Sequence, residues 1–258
     1  MSNILTVKSV NKTYYSHKNR TKIKALKNIN FELYENETLG IVGESGCGKS
    51  TLAKIIVQLE KVTSGEINYK NNLLNNLTYR ELIKYKKEIQ LVFQDPFSSL
   101  NPRLNILNII EEPLLIHSSL DKKQRLDKCK EMINLVGLQE QSLFKYPHEF
   151  SGGQRQRIVI ARALILQPKL IIADEPVSAL DVSIQSQILN LIKDLKDKFN
   201  LSLIFISHDL SVVSYMSDRT IVMHDGEIVE SGNAKMIFTN PEHEYTKNLI
   251  SSIPKIRN

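Results

Sequence analysis

The stretch Gly43-Glu44-Ser45-Gly46-Cys47-Gly48-Lys49-Ser50-Thr51 decides the fold, because it fits the pattern G-x-x-x-x-G-K-[ST] at every fixed position. Such a loop curls its backbone N–H groups around an anion, with a buried strand before it and a helix after it. The apolar run at residues 39–42 predicts the strand. One apolar helix face is predicted from Leu52, Ile55, Ile56 and Leu59. With both flanks present, we interpret the loop as a nucleotide phosphate site rather than a glycine-rich turn with a surface lysine.

The composition is that of an ordinary globular chain. Its 258 residues are 41% hydrophobic, and the length suits one large domain with a lobe. The longest aliphatic runs, such as residues 170–173, fall far short of the roughly 20 residues that cross a bilayer. The first residues carry no hydrophobic signal region, so we expect a cytoplasmic protein. Cys47 and Cys129 are too few for a disulfide framework or a metal cluster, and neither is assigned a function.

The formal net charge of +6 is modest for this length. A solvated surface explains most of it. Attraction to an acidic partner or to nucleic acid is the less favoured alternative, and we predict no nucleic-acid partner.

Two half-buried strands are predicted near the start of the chain. Apolar and polar residues alternate at 4–7 and 29–33, which favours an antiparallel edge sheet. The basic segment from Lys18 to Lys27 is predicted to be a loop. Tyr14 and Tyr15 precede that loop, where a ring could stack on a purine or could simply be a strand tyrosine.

Polar side chains follow three further apolar runs, at residues 89–93, 170–173 and 203–206. The polar residues are Gln94, Asp174 with Glu175, and Ser207 with His208 and Asp209. Ligands in doubly wound sheets bind at the carboxyl ends of strands, so we expect these groups near the phosphate loop. One carboxylate could serve Mg²⁺ while its neighbour orients water.

A helical lobe is predicted from about residue 95 to about residue 166. Its clearest helix carries one apolar face, made by Leu126, Cys129, Ile133 and Val136. Asp121 with Gln124 resembles a helix-start capping pair, and Gly137 stands where the helix would stop. Beyond it, an amphipathic helix is predicted from residue 184 to 199, and His224-Asp225-Gly226 predicts a hairpin.

Taken in order, these motifs closely resemble the ATP-binding cassette ATPase subunit of ABC transporters, over nearly the whole chain. The loop resembles Walker A (the P-loop), and residues 170–174 resemble Walker B. Further family marks are matched by Gln94 (Q-loop), Ser151-Gly152-Gly153-Gln154 (signature), residues 178–181 ending in Asp181 (D-loop), His208 (switch histidine) and Tyr14 (adenine-stacking position, with Tyr15 as the fallback). A signature ahead of Walker B separates this family from other P-loop proteins.

The resemblance implies an α/β fold. It consists of a P-loop ATPase core with a mixed sheet, an antiparallel β edge subdomain and an inserted α-helical lobe. We expect a single ABC ATPase domain over residues 1–258, with the lobe at about 95–166 and a short C-terminal tail at about 236–258.

A narrower resemblance, to oligopeptide/dipeptide/nickel importers, is carried by residues 93–103, 179–185 and 243–254. The tail of that branch usually reads His-Pro-Tyr-Thr, and this chain has Glu244 in place of the proline. The departure is small and leaves the branch resemblance in place.

The resemblance also implies ATP and Mg²⁺ as ligands. Lys49 and the loop amides would hold the phosphates, Ser50 would bind Mg²⁺ directly, and Asp174 and Gln94 would complete its surroundings through water. Glu175 would polarise the attacking water, and His208 would contact the γ-phosphate and keep water and carboxylate aligned. The signature would close on ATP bound by a second cassette, since paired cassettes of this family meet head to tail.

The implied partners are a second, related but non-identical ABC ATPase subunit, two transmembrane permease subunits and an extracellular substrate-binding protein. The chain would lie at the cytoplasmic face of the membrane and power import of peptides, or of nickel or a metal chelate. The alternative is a soluble accessory ABC ATPase of a multi-enzyme or nucleic-acid-processing complex. The sequence does not identify the substrate, because specificity in such systems belongs to the binding protein and the permeases.

Overall fold

The computed structural model describes residues 2–16 and 21–251. The chain divides into two compact units. The first combines Met1–Thr78 with Ser202–Asn258, and the second is Tyr79–Leu201. The predicted helical lobe at 95–166 falls inside the second unit, and its boundaries, like the single-domain assignment, stay predictions.

The strands within the described residues are β1 Asn3–Ser16, β2 Thr21–Tyr34, β3 Thr38–Val42, β4 Ser64–Tyr69, β5 Asn72–Leu73, β6 Ile89–Val92, β7 Leu170–Asp174, β8 Ser202–Ser207, β9 Arg219–His224 and β10 Glu227–Asn233. The α-helices are α1 Lys49–Ile56, α2 Tyr79–Glu88, α3 Pro96–Ser99, α4 Ile106–His117, α5 Lys122–Leu135, α6 Gly152–Leu164, α7 Val182–Phe199, α8 Leu210–Met216, α9 Ala234–Thr239 and α10 Glu244–Ser251. Two 3₁₀ turns, Glu140–Phe144 and Pro147–Glu149, lie between α5 and α6.

An antiparallel sheet of order β2-β1-β4-β5 lies in the first unit and confirms the predicted edge sheet. The predicted loop between its first strands is wrong for residues 21–27, which belong to β2; residues 17–20 lie outside the described part. Lys24 pairs with Thr13 and Leu26 pairs with Lys12, so the ladder with β1 satisfies this backbone. Leu26 is buried while Lys22 and Lys24 are exposed, an arrangement that edge strands tolerate well.

A second set of strands in the first unit is mixed. β3 runs parallel to both β8 and β9, and β10 returns antiparallel to β9. Every residue of β3 and β8 is buried, as their unbroken apolar runs predict. The predicted hairpin is confirmed between β9 and β10, where Asp225 and Gly226 have φ of 47° and 80°. Positive φ at both central residues is typical of the type I′ turn that an Asp-Gly pair favours.

Helix α1 follows the phosphate loop as predicted, but it is shorter than the apolar spacing indicates. It ends at Ile56, and Leu59, predicted to share its apolar face, is 57% exposed. Gln58 adopts a left-handed φ of 58°, and the Leu59 amide returns to the Lys54 carbonyl. This closure ends the helix one turn early and turns Leu59 away from the buried face.

The second unit holds the parallel pair β6 and β7 together with helices α2 to α7. The capping box of α5 is confirmed: Asp121 and Gln124 each accept from the other's backbone N–H. Gly137, with φ of 76°, follows the end of α5 as predicted. The strand at 170–174 is buried throughout, as its apolar run predicts. The strand predicted from residues 89–93 ends at Val92, its two middle residues are half-buried, and Phe93 is 40% exposed.

These sheets and helices confirm an α/β fold with a mixed sheet and an antiparallel sheet. Over residues 2–16 and 21–251, no helix has both the length and the apolar character needed to span a bilayer.

Candidate nucleotide site

The phosphate loop of the first unit is folded around the ammonium group of Lys49. This side chain is 4% exposed. Its Nζ donates to the carbonyl oxygens of Gly43 and Glu44, at 2.7 Å and 2.9 Å. A nearly buried cation is therefore held inside the loop by backbone oxygens, at the position where the motif needs a charge for phosphate.

Gly48 connects the loop to α1 and could not be another residue without rearrangement. Its φ is +107°, a region that side chains rarely adopt. A Cβ at this position would lie 2.5 Å from the Ala25 carbonyl oxygen and 2.9 Å from Leu26 Cδ2. Because glycine also offers no capping side chain, the first amides of α1 keep their capacity to bind an anion.

Cys47 lies within the loop and is 6% exposed. Burial raises the pKa of its thiol, although the nearby charge of Lys49 acts to lower it. The thiol is therefore neutral at physiological pH. We assign it no chemistry, as the sequence predicts.

His208 follows the carboxyl end of β8, where the sequence places it. It is exposed, and it lies between Ser207, whose Oγ accepts from the Asp209 N–H at 3.0 Å, and the start of α8. Asp209 caps α8 by accepting from Ser211 N–H at 2.8 Å. Local hydrogen bonds thus fix the backbone on which the histidine is presented.

Tyr14 and Tyr15 differ in exposure, which bears on the choice of the adenine-stacking ring. Tyr14 is half-buried in β1, and Lys12 Nζ lies 4.7 Å from its ring centroid. Lys12 is itself paired with Glu60 at 3.0 Å. Tyr15 is 61% exposed, with Lys22 Nζ 5.6 Å from its centroid. The better-held ring is that of Tyr14, and its role stays a prediction.

Glu175 is the most constrained of the predicted catalytic residues of the second unit. It follows β7 directly, is 9% exposed and has a left-handed φ of 48°. Gln94 Nε2 donates to its Oε2 at 3.0 Å. A non-glycine residue in this conformation costs on the order of 1–3 kcal/mol, and such strain clusters at functional sites. Ser178 secures the turn by donating through Oγ to the Glu175 carbonyl at 3.1 Å.

The predicted Mg²⁺ ligands Ser50, Asp174 and Gln94 offer a hydroxyl, a carboxylate and an amide oxygen. Hard oxygen atoms of this kind are what Mg²⁺ prefers. Asp174 ends β7 and is 6% exposed. Gln94 uses Nε2 toward Glu175, so its Oε1 is the atom that can serve a cation. The chemistry of this donor set fits Mg²⁺.

The signature residues open α6 in the second unit. Ser151 is its N-cap, and the Ser151 N–H donates to Gln154 Oε1 at 3.0 Å, while the Gln154 N–H donates to Ser151 Oγ at 3.4 Å. A Cβ on Gly153 would lie 2.5 Å from Ile184 Cγ2, and one on Gly152 would lie 3.3 Å from Leu180 Cδ2. The glycines therefore let the signature pack closely on the D-loop and α7. Nothing in the sequence indicated this packing.

Asp181 of the D-loop is the N-cap residue of α7 and is exposed. The structure thus brings the signature and the D-loop together in the second unit. Glu175 is hydrogen-bonded both to Gln94 and to Ser178 of the D-loop. In the first unit the structure brings Lys49 against the carbonyls of its own loop.

One contact of the phosphate loop was missed by the sequence reasoning. The Glu44 N–H donates to the hydroxyl oxygen of Tyr245 at 3.2 Å. Tyr245 entered the sequence analysis only as part of the importer-branch tail. No spacing rule connects it with the loop, although its place in that tail was a signal that it matters.

Two family models match the chain. The ABC transporter model matches residues 26–178, and the model of the oligopeptide/dipeptide transporter C-terminal region matches residues 229–258. The second match includes residues 252–258, which lie outside the described structure. Pro254, part of the predicted importer-branch tail, is among them.

Similar proteins include transport ATP-binding proteins of several bacteria. The dipeptide transport ATP-binding protein DppF of Haemophilus influenzae is 50% identical over 236 residues, covering 91% of this chain and 72% of DppF. The oligopeptide transport ATP-binding protein AppF of Bacillus subtilis is 52% identical over 236 residues, with the same two coverages. The oligopeptide transport ATP-binding protein OppF of Lactococcus lactis is 47% identical over 262 residues, covering 99% of this chain and 82% of OppF.

The fold of this chain also resembles that of a solved ATP-binding cassette. The dimeric structure of a post-hydrolysis state of an ATP-binding cassette, bound to ADP and Pi, is 35% identical, has a TM-score of 0.81 and covers 90% of this chain and 99% of that chain. The loop, the strand-end acids and the helix-opening signature occur here in the order of that family. The chain therefore belongs to the ABC transporter family, as an ATP-binding cassette that carries the oligopeptide/dipeptide transporter C-terminal region.

Proposed function

We propose that this cassette hydrolyses ATP to power the import of oligopeptides or dipeptides. The observation that carries the proposal is the buried side chain of Glu175, which directly follows β7. Its backbone is strained, and its carboxylate accepts a hydrogen bond from Gln94. Relatives named as dipeptide and oligopeptide transport ATP-binding proteins support the substrate class. They favour peptides over nickel or a metal chelate, and they give the soluble accessory ATPase no support.

Lys49 and the amides at the start of α1 would bind the phosphates of ATP. Lys49 Nζ donates to two neutral carbonyl oxygens, and the charged oxygens of a phosphate are stronger acceptors. Thr51 and the loop residues Ser45 and Gly46 complete the motif. The space beside Gly46 is open, since a Cβ there would meet nothing within 4 Å. Tyr14 is our choice for the ring that stacks on adenine, because it matches the adenine-stacking position of the family.

Mg²⁺, when bound, would neutralise charge on the phosphates, with Ser50, Asp174 and Gln94 holding it. Glu175 would accept a hydrogen bond from the attacking water and polarise it. The hydrogen bond that Gln94 donates to Oε2 orients the carboxylate. His208 would contact the γ-phosphate, because a neutral imidazole can both donate and accept.

The signature and Asp181 would act on nucleotide held by a second cassette. Ser151, Gln154 and Asp181 are exposed, which suits contact with a partner. We propose a related, non-identical cassette as that partner, with two permease subunits and an extracellular binding protein completing an importer. The cassette would sit at the cytoplasmic face of the membrane.

Three large apolar side chains of the second unit are exposed and could contact the permeases. Phe97, Leu115 and Ile116 are 64%, 56% and 65% exposed. The Arg155 guanidinium lies 3.8 Å from the centroid of the Phe97 ring and holds it in place. We propose that these side chains contact the permease subunits.

Deleting this cassette from its cell should abolish uptake of a labelled tripeptide while leaving uptake of nickel unchanged. A transporter whose cassette cannot close on ATP has no energy source for transport. The measurement is uptake of both substrates, with the cassette restored from a plasmid as the control. Restored tripeptide uptake together with copurification of permease subunits is expected. Unchanged tripeptide uptake, or copurification with soluble enzymes instead, would rule the proposal out.

Ser151→Arg should leave ATP binding to the isolated chain intact and lower hydrolysis in the assembled transporter by 10²-fold or more, the scale set by loss of a transition-state contact. The bulky cation would stand where the nucleotide of the opposite cassette docks. Ser151→Ala is the matched control, because it removes the cap of α6 without adding bulk and should cost about 1 kcal/mol of stability. Equal loss of ATP binding by the isolated Ser151→Arg chain would contradict a signature that acts across the pair.

A further inference from the structure

The phosphate loop is contacted from the C-terminal region of its own unit. Tyr245, the second residue of α10, accepts a hydrogen bond from the Glu44 N–H at 3.2 Å. We propose that Tyr245 is a positioning residue for the phosphate loop, through which the C-terminal region sets the affinity for nucleotide. This inference rests on the proposed function, since it assumes that the loop binds ATP.

Glu44 is held through both of its backbone polar groups. The Glu44 N–H donates to Tyr245, and the Glu44 carbonyl accepts from Lys49 Nζ at 2.9 Å. Phosphate would compete with that carbonyl for the ammonium group of Lys49. The hydrogen bond to Tyr245 does not involve the lysine, so it can keep this arm of the loop in place as the lysine changes partner.

The ring of Tyr245 is fixed by a second contact. The ring of His224 packs against it, with centroids 4.0 Å apart and planes tilted by 32°. His224 is the last residue of β9, which runs parallel to β3, the strand that leads into the loop. Burial raises the pKa of the Tyr245 hydroxyl above its usual value, so the phenol is neutral at neutral pH.

The start of α10 is anchored to β10. The Glu230 carboxylate accepts from the Glu242 N–H at 2.9 Å and from the His243 N–H at 3.1 Å, and His243 Nδ1 accepts from the Tyr245 N–H at 3.1 Å. Burial acts to raise the pKa of Glu230, but these hydrogen bonds outweigh it and the pKa is lowered. The carboxylate is therefore ionised at neutral pH, and it fixes the backbone from which Tyr245 projects.

The hairpin between β9 and β10 supports the other arm of the loop. The Gly226 N–H donates to the Cys47 carbonyl at 3.1 Å, and the Gly226 carbonyl accepts from the Lys27 N–H at 2.8 Å. A Cβ on Gly226 would lie 2.8 Å from the Ala25 carbonyl oxygen. The Cys47 carbonyl is thus held by a backbone N–H, whereas the Glu44 N–H is held by the side chain of Tyr245.

Tyr245→Phe tests the proposal, because it removes the hydroxyl and retains the ring that packs on His224. A hydrogen bond of this kind contributes about 1 kcal/mol, which corresponds to about a fivefold effect on an equilibrium. We expect hydrogen exchange at the Glu44 amide, followed by NMR, to quicken about fivefold. We also expect the Kd for a fluorescent ATP analogue and the KM of the assembled transporter to rise about fivefold, with kcat changed less than twofold.

Two further variants keep the experiment decisive. Tyr79→Phe makes the same change at a tyrosine that is 70% exposed in the second unit, and it should change neither exchange nor affinity. Glu230→Gln weakens the anchor of α10 and should raise the Kd in the same direction, so it carries the test if Tyr245→Phe fails to fold.

The outcomes separate this inference from the proposed function. A wild-type chain that binds no ATP analogue would overturn both. A wild-type chain that binds it, with Tyr245→Phe of equal affinity, would overturn the positioning role alone. So would faster Glu44 exchange without a change in Kd, or a loss confined to kcat.

Discussion

Lys49→Ala is expected to abolish ATP hydrolysis and to weaken nucleotide binding by at least tenfold. A hydrogen bond to a charged group contributes roughly 1.5–3 kcal/mol, and the substitution removes the charge that we propose binds the phosphates. It also removes the bonds from Nζ to the Gly43 and Glu44 carbonyls, so the loop itself loses internal support. The measurements are phosphate release by the assembled transporter and binding of a fluorescent ATP analogue to the isolated chain.

Lys54→Ala is the matched control for this prediction. Lys54 lies in the last turn of the same helix, α1, and is exposed, so its loss should change neither binding nor turnover. Lys49→Arg should restore part of the binding, because the charge remains, but little of the turnover, because the planar guanidinium does not fit the place of a compact ammonium. Normal turnover in Lys49→Ala would refute the phosphate-loop interpretation.

The fold was predictable wherever the pattern of apolar residues specified a strand or helix and the residues between these elements specified a turn. The buried strands β3, β7 and β8 read as unbroken apolar runs, and Asp225-Gly226 specified the hairpin turn. The sequence failed where tertiary pairing overrode local composition. Residues 21–27 look like a basic loop, yet they complete β2 because β1 offers them a ladder.

The positions of the site residues were predictable because the motifs are local. Glu175 and His208 follow buried strands, as the apolar runs before them predict. The contact of Glu44 with Tyr245 was not predictable, since 201 residues separate the two and only packing brings them together. Nor did the sequence reveal that Gly153 is needed for the approach of Ile184.

Glu175→Gln is expected to slow hydrolysis by about 10²-fold or more, the scale for loss of a positioned base, while ATP binding survives. The amide keeps the shape of the side chain and one oxygen that can accept the bond from Gln94. What it loses is the negative charge that polarises water. The substitution does not alter the left-handed backbone at this residue, where φ is 48°. A slower reaction would therefore report loss of the carboxylate charge and not a change in the turn. The measurement is single-turnover phosphate release in the assembled transporter.

Glu37→Gln is the matched control, because Glu37 is equally buried, at 8% exposed, but pairs with Arg219 at 3.0 Å in the first unit. It should lower the melting temperature through loss of that pair and leave turnover within a few-fold. If Glu175→Gln and Glu37→Gln slow hydrolysis alike, loss of a buried charge, and not loss of a base, explains both.

The glutamine variant at position 175 should also accumulate the closed pair of cassettes. If ATP favours closure and hydrolysis reverses it, then blocking hydrolysis shifts the population toward the closed pair. The size of the shift is set by how much more tightly the closed pair binds ATP than the open pair does. Gel filtration with Mg-ATP, using this chain and its partner cassette, should show association that is reversed when ADP replaces ATP. Near-normal turnover in the full assembly would exclude Glu175 as the catalytic carboxylate. Slow turnover without ATP-dependent association would be consistent with a catalytic Glu175. It would refute closure driven by ATP, because ATP that is bound but not hydrolysed would then fail to bring the two cassettes together.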